Sequence, residues 1–299
     1  MWKRNLIFFC SGMVWSIAAY GQLTTQFYIE NNQQIKGLIL SLSVDEGNCH
    51  IGSTRQEGLL KVSSNKDPDH FSHSYSKVIN RNVCFVDLDI KNTGAGAKNL
   101  GQTISTSIFG TVNTIDESKW NILLSENKPY QLRLNYGMGA ADIDLSRLSI
   151  ETIKIHTGSA DVKIGYEENS FNKVEMDTFY VKVDFGSVNV HNLCHSRARN
   201  VIADVGFGDL ILDLSDPPLQ TSKIIGNVGA GTLLIKLPSD NTPVRVVVND
   251  SWLCNLKIPV SFRKIGENTY VNPYYKGVPE RALSFEVDVS MGNLIFREP

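Results

Sequence analysis

The sequence predicts an all-β fold: a single-chain β-solenoid of about six to eight glycine-cornered rungs, preceded by a less regular β region. Three observations carry that prediction. Segments of alternating apolar and polar residues recur through the second half of the chain, each broken by a short glycine-containing corner. Most gaps between the copies are short and nearly constant. After the first 21 residues, no run of ten or more carries a 3.6-residue apolar period, which argues against α/β classes. With 299 residues, 42% hydrophobic and 20% charged, the chain can bury a large core and lacks the bias of disordered or collagen-like sequences.

The first element is a leader. Met1-Trp2-Lys3-Arg4 is a basic start, Asn5 to Ala18 is mostly apolar, and Ala19-Tyr20-Gly21 places small residues before a cut at Gln22. That order reads as a cleavable signal peptide over 1–21, its apolar run shorter than the roughly 20 residues a spanning helix needs. The mature chain is therefore expected to be secreted, at the outer surface or in the periplasm, with no transmembrane segment. Without Lys3 and Arg4, the 29 basic side chains become 27 against 31 acidic ones. No basic surplus is left to drive nucleic-acid binding. Four cysteines remain: Cys49, Cys84, Cys194 and Cys254. They allow three disulfide pairings, or serve as small buried apolar residues, and Cys49 sits where the repeat takes an aliphatic.

The second element, residues 22–130, is a β-rich region. Strand-like runs lie at Gln26–Glu30, Gly37–Val44, Leu59–Val62, Phe85–Ile90 and Trp120–Leu124. One early copy of the repeat is visible, with Leu40, Leu42 and Val44 alternating with Ser41 and Ser43 before a Gly47-containing corner.

The third element, residues 131–299, holds six copies anchored on Tyr136, Thr157, Val183, Val205, Val228 and Val289. The anchors are 21, 26, 22, 23 and 61 residues apart, and the last gap contains an insertion at about 238–283. In the copy ending at Val205, Val201, Ala203 and Val205 are expected to face inward, and Ile202 and Asp204 outward. The glycine pairs Gly137/Gly139, Gly206/Gly208 and Gly229/Gly231 read as corners whose backbone a Cβ would resist. One strand–corner–strand unit cannot cover its own apolar side, whereas units stacked about 4.8 Å apart cover one another.

Two outward positions recur. Just after the corner stand Asp142, Asp161, Ser187, Asp209, Thr232 and Asn293, expected to cap turn amides, or else to form a metal- or glycan-binding ladder. Further along the second strand stand Asp144, Lys163 and Asn189, then Ile211, Leu234 and Ile295. The insertion, with Trp252, Tyr270, Tyr274 and Tyr275, is expected to cover that apolar end; a partner is the alternative. The expected interaction surface is thus Ile211, Leu234, Ile295, Trp252, Tyr274 and Tyr275.

Catalytic motifs are missing from the pattern. Gly94-Ala95-Gly96-Ala97-Lys98-Asn99-Leu100-Gly101 has its third glycine two positions late for a dinucleotide fingerprint and lacks a P-loop ending. Asp184-Phe185-Gly186 spells a kinase triplet, but no catalytic loop accompanies it, so it reads as a rung corner. Asp67/Asp69/His70/His73 and His191/Cys194/His195 match no familiar metal spacing. No Gly-x-Ser-x-Gly occurs after the leader. No catalytic residue, cofactor or metal is therefore expected. The enzymatic alternative is a carbohydrate lyase or hydrolase using outward carboxylates such as Asp204 and Asp288.

At the rungs the chain resembles bacterial toast-rack and adhesin-type β-solenoid families, including the C-terminal domain of LiaF-type proteins, a domain of unknown function. The residues carrying it are Asn135 to Leu145, Thr157 to Ile164, Val205 to Leu212, Val228 to Ile235 and Met291 to Phe296, within roughly 130–299. The resemblance implies a β-helix-like repeat fold and a non-enzymatic scaffold of the cell envelope, for adhesion or for a protein or glycan partner. LiaF-type proteins have membrane helices where this chain has a leader.

Overall fold

The computed structural model describes residues 24–31, 33–65, 71–92, 119–277 and 281–299. The expected leader, the 94–101 segment and Asp67, Asp69 and His70 lie outside them. Among the described residues the fold is all-β, and the one helical turn is a 3₁₀ turn at Leu193–Ser196.

The strands form two ladders. Each repeat copy runs down a first strand, turns, and returns on a second, and successive copies pair in parallel. The first-strand ladder contains β5 (Val83–Asn92), the front of β2 (Gly37–Thr54), the front of β7 (Pro129–Asp144), β8 (Ser149–Thr157), β10 (Met176–Val183), β12 (Ala198–Val205), β14 (Ser222–Val228), β20 (Leu283–Val289) and β16 (Val244–Asp250). Beside it runs the second-strand ladder of β6 (Lys119–Ser125), the backs of β2 and β7, β9 (Asp161–Gly165), β11 (Ser187–His191), β13 (Asp209–Asp213), β15 (Thr232–Lys236), β21 (Asn293–Arg297) and β17 (Asn255–Lys257). Nine rungs result among the described residues.

Spatial order departs from chain order at both ends. The β5/β6 rung lies outside β2, which precedes it, and the β16/β17 rung lies outside β20/β21, which follows it. Antiparallel strands then close each end. At one, β4 (Phe71–Asn80) pairs with β5, β3 (Leu60–Ser64) with β6, and β1 (Thr24–Ile29) with β3. Phe27 of β1 stacks on Tyr75 of β4 with centroids 4.7 Å apart. At the other, β19 (Thr269–Val271) pairs with β16, and β18 (Arg263–Lys264) with β19. Ending a parallel stack in short antiparallel strands blunts edges that would otherwise template pairing with another chain.

The insertion therefore extends the stack. It supplies the last rung, with Val244, Val246 and Val248 buried in line with Leu283, Phe285 and Val287. Its corner, Ser251 to Cys254, has no glycine. Five steps separate Asp250 from Asn255, against four between the partners Val289 and Asn293. The extra residue widens the turn, and for that reason the repeat pattern does not show this rung.

The inward columns build the core: Val201, Ala203, Val205, Leu210 and Leu212 are all buried, as the alternation requires. Cys49, Cys84 and Cys194 are buried thiols, and no disulfide joins them. Cys254 packs half-buried against the same core.

Two causes select the corner glycines, the expected backbone conformation at some and close stacking at others. Of the corner positions, Gly47 and Gly139 have positive φ, whereas Gly206, Gly208, Gly229 and Gly231 do not. A Cβ on Gly208 would stand 2.2 Å from the carbonyl oxygen of Gly186, and one on Gly231 2.1 Å from that of Gly208. Close stacking of backbones selects glycine here. At Gly206 the first corner position is looser, since a Cβ there meets Asp184 O at 3.0 Å, and other rungs hold Asp184 and Ser290 at that position; Gly137 is the tight case, where a Cβ would stand 2.4 Å from Asp45 O.

Candidate functional site

Outward side chains on successive rungs form straight columns because the ladders run in register. The first column after the corner reads Asn48, Ala140, Asp161, Ser187, Asp209, Thr232, Asn293, Asn255. The second reads His50, Asp142, Lys163, Asn189, Ile211, Leu234, Ile295, Lys257. Asp142 therefore belongs to the second column, opposite Lys163, and Ala140 takes the place expected for it. Asp144, expected beside Lys163, pairs instead with Gly165.

The first column does not cap turn amides as expected. The carbonyls of the preceding rung take those amides: Phe207 N donates to Asp184 O at 2.7 Å and Asp209 N to Gly186 O at 3.0 Å. The side chains instead bond from rung to rung. Ser187 Oγ donates to Asp161 Oδ1 at 2.6 Å, Asn293 Nδ2 to Thr232 Oγ1 at 3.3 Å, and Asn255 Nδ2 to Asn293 Oδ1 at 2.9 Å. Such ladders hold each polar group in one orientation.

These columns line a groove of about 930 Å³ that crosses six rungs, β6, β2, β7, β9, β11 and β13. Asp142, Asp161 and Asp209 are interspersed with Lys119, Lys163 and His50, and His50 Nδ1 lies 3.4 Å from Asp142 Oδ2. Asp142, Asp161 and Lys163 occupy its middle rungs, and Ser187 and Asn189 the fifth of the six. Ala140 and Ile211 are its apolar outward residues.

The corner tips form a second feature. Phe185 and Phe207 are 54% and 67% exposed and stack on each other, centroids 5.3 Å apart and planes 5° from parallel. Farther along the same edge, Met291 is 58% and Trp252 91% exposed. The sequence reading missed this ridge, although one apolar residue between two corner glycines (Phe207) was its visible signal.

The six residues expected to form one surface are split among three places. Ile211, Leu234 and Ile295 stack half-buried in the second column, Trp252 is at a corner tip, and Tyr274 lies by Leu237, Phe262 and the C-terminus, next to the half-buried Tyr275. The insertion supplies the rung beyond β20 and β21.

The acidic groups named for catalysis are engaged with neighbours. Asp204 accepts from Tyr180 OH at 2.8 Å and Asn227 Nδ2 at 2.6 Å, and Asp288 accepts from Asn249 Nδ2 at 2.7 Å. Asn227 stands between the two carboxylates in the register. Asp184 of the kinase-like triplet is at a corner, bonded to His156 Nε2 at 2.8 Å and 3.4 Å from Lys182 Nζ. Burial opposes its ionisation, but those two partners prevail and hold its carboxyl below the usual range. Of the histidine groups, His195 Nε2 pairs with Asp216 Oδ2 at 2.9 Å, and His73 packs edge-on against Phe27. No cluster of three or more potential metal ligands occurs among the described residues. Nor is any helix among them long and apolar enough to cross a membrane.

The chain was compared with known proteins. Of solved structures, it is similar to the crystal structure of "a putative cell adhesion protein" from Clostridium sporogenes ATCC 15579, at 15% identity and a TM-score of 0.46, with 93% of this chain and 100% of that one covered. A second is the structure of "a putative adhesin" from Bacteroides fragilis NCTC 9343, at 11% identity and a TM-score of 0.31, covering 92% and 97%. No curated protein matches. The family model described as the N-terminal domain of toast_rack, DUF2154, matches residues 19–191, reaching well upstream of the rungs on which the resemblance was read. Because that match spans more than half of the sequence, the chain belongs to the toast-rack family.

Proposed function

We propose that the chain is an exported bacterial envelope protein acting as a rigid, non-catalytic scaffold, which holds a protein or glycan partner on its second-strand face. One observation carries this reading: the groove crosses six stacked rungs, and within it Ser187 is hydrogen-bonded to Asp161 and His50 lies 3.4 Å from Asp142. A surface ordered before contact loses little side-chain freedom on binding. The basic–apolar–small order of residues 1–21 supports export. The acidic balance of the mature chain gives no support to a nucleic-acid partner.

Binding of the purified chain to isolated bacterial envelopes tests the reading. Saturable binding is expected, weakened at least tenfold by Lys163→Glu, with no soluble sugar or peptide released. Absence of binding to any envelope preparation would refute it. Release of product that stops on Asp161→Asn or Asp209→Asn would favour the enzymatic alternative, since those two carboxylates face the groove two rungs apart.

A further inference from the structure

The geometry points to one ligand class for this groove: an uncharged polysaccharide strand lying across the rungs, about one sugar per rung. This rests on the scaffold reading above and narrows it.

Direction is the first argument. The groove crosses six rungs, so it is long in the stacking direction, where units repeat about every 4.8 Å and the whole spans roughly 25 Å. A pyranose in an extended β-linked chain advances by nearly the same step, so each sugar meets the outward side chains of one rung.

Charge is the second. In the second column Asp142 stands between His50 and Lys163, and in the first Asp161 is bonded to Ser187. A polyanion would face Asp142, Asp161 and Asp209, and a polycation Lys119 and Lys163. A lining of both signs draws neither.

Chemistry is the third. Ser187 and Asn189 offer both donors and acceptors, which suits rows of sugar hydroxyls. Ala140 and Ile211 give apolar relief between them. On the same rungs as Ser187 and Asp209, two residues earlier, the Phe185 and Phe207 rings border the corner edge, an apolar surface for the C–H faces of a sugar. A protein partner fits less well. An added β-strand needs an open backbone edge, yet the floor here is a sheet face whose amides are paired between rungs. A docking helix needs an apolar stripe along the groove, whereas its outward apolar residues are Ala140 and Ile211, with Leu234 and Ile295 continuing the column beyond its end.

Titration calorimetry with uncharged β-linked oligosaccharides, from disaccharide to octasaccharide, tests the assignment on the full chain. Affinity is expected to rise with length and level off near six sugars. Asn189→Trp, a bulky side chain at an exposed position in the groove, should weaken binding at least tenfold without altering the melting temperature. Lys154→Trp, on the exposed outer face of the first-strand ladder, should leave affinity unchanged. Affinity independent of length, preference for a sulfated or uronate polymer, or full binding by Asn189→Trp would overturn the assignment. If envelopes are still bound in that event, the scaffold reading survives without the polysaccharide; if they are not, both fail.

Discussion

Replacing Gly208 by alanine probes the stacking directly. The added Cβ would lie 2.2 Å from Gly186 O and 2.7 Å from Val183 Cγ1, whereas ordinary contact begins at 3.4 Å. The rungs must therefore part by about 1.2 Å at this corner, the difference between 3.4 and 2.2. Three hydrogen bonds cross the gap: Phe207 N to Asp184 O at 2.7 Å, Gly208 N to the same oxygen at 3.1 Å, and Asp209 N to Gly186 O at 3.0 Å. At about 1 kcal/mol each, the loss of two or three, with some overpacking strain, costs about 2–4 kcal/mol. For a chain of this size that lowers Tm by roughly 5–10 °C. Circular-dichroism melts of Gly208→Ala, Gly206→Ala and Gly266→Ala should show a graded loss. Gly206→Ala meets a carbonyl at 3.0 Å and costs less, and Gly266→Ala meets only Thr269 at 3.5 Å and costs little. Equal losses for Gly206→Ala and Gly208→Ala would refute the reasoning, because the turn's own conformation and not the neighbouring rung would then select glycine.

Three further outcomes are expected. Ala230→Phe fills the tip position next to Phe207 with a third ring, so the urea midpoint should rise by the equivalent of about 0.5 kcal/mol. Deleting residues 243–279 removes β16 to β19 and bares β20 and β21, so sedimentation at several concentrations should show association that the intact chain lacks. Burial opposes the ionisation of Asp213, but Lys236 Nζ at 2.7 Å and the Ser215 donors outweigh it, leaving the carboxyl below its usual range. With the folded value below the unfolded value of about 3.9, its contribution is complete at neutral pH and is lost as pH falls through the folded value. Melts between neutral and strongly acidic pH should show wild type losing more than Asp213→Asn, and parallel curves would contradict the assignment.

Much of the architecture was legible because burial alternates where a rung is sandwiched. Val201, Ala203 and Val205 show their inward side in the sequence, as do the copies at Val183 and Val228. What escaped lies at the ends. All of Ser72 to Asn80 in β4 is exposed, so no apolar alternation marks that strand. The β16/β17 corner has an extra residue in place of glycine, and nothing local in a sequence announces that a later segment stacks beneath an earlier one. The groove was half legible. Lys163, Asn189 and Ile211 were placed on one face, but setting Asp142 two positions away hid its place between His50 and Lys163 in the same column.

Disulfide trapping tests the out-of-order stacking most directly. Asn227, Asp288 and Asn249 are exposed and successive in one column, with Asp288 between the others. Neighbouring rungs put Cα atoms about 4.8 Å apart, within disulfide reach, and next-but-one rungs put them near twice that, beyond it. Oxidised Asn227→Cys/Asp288→Cys should form an intramolecular bond across 61 residues of chain, and Asn227→Cys/Asn249→Cys, only 22 residues apart, should not. The reverse result would mean that the insertion stacks in chain order, contradicting the account.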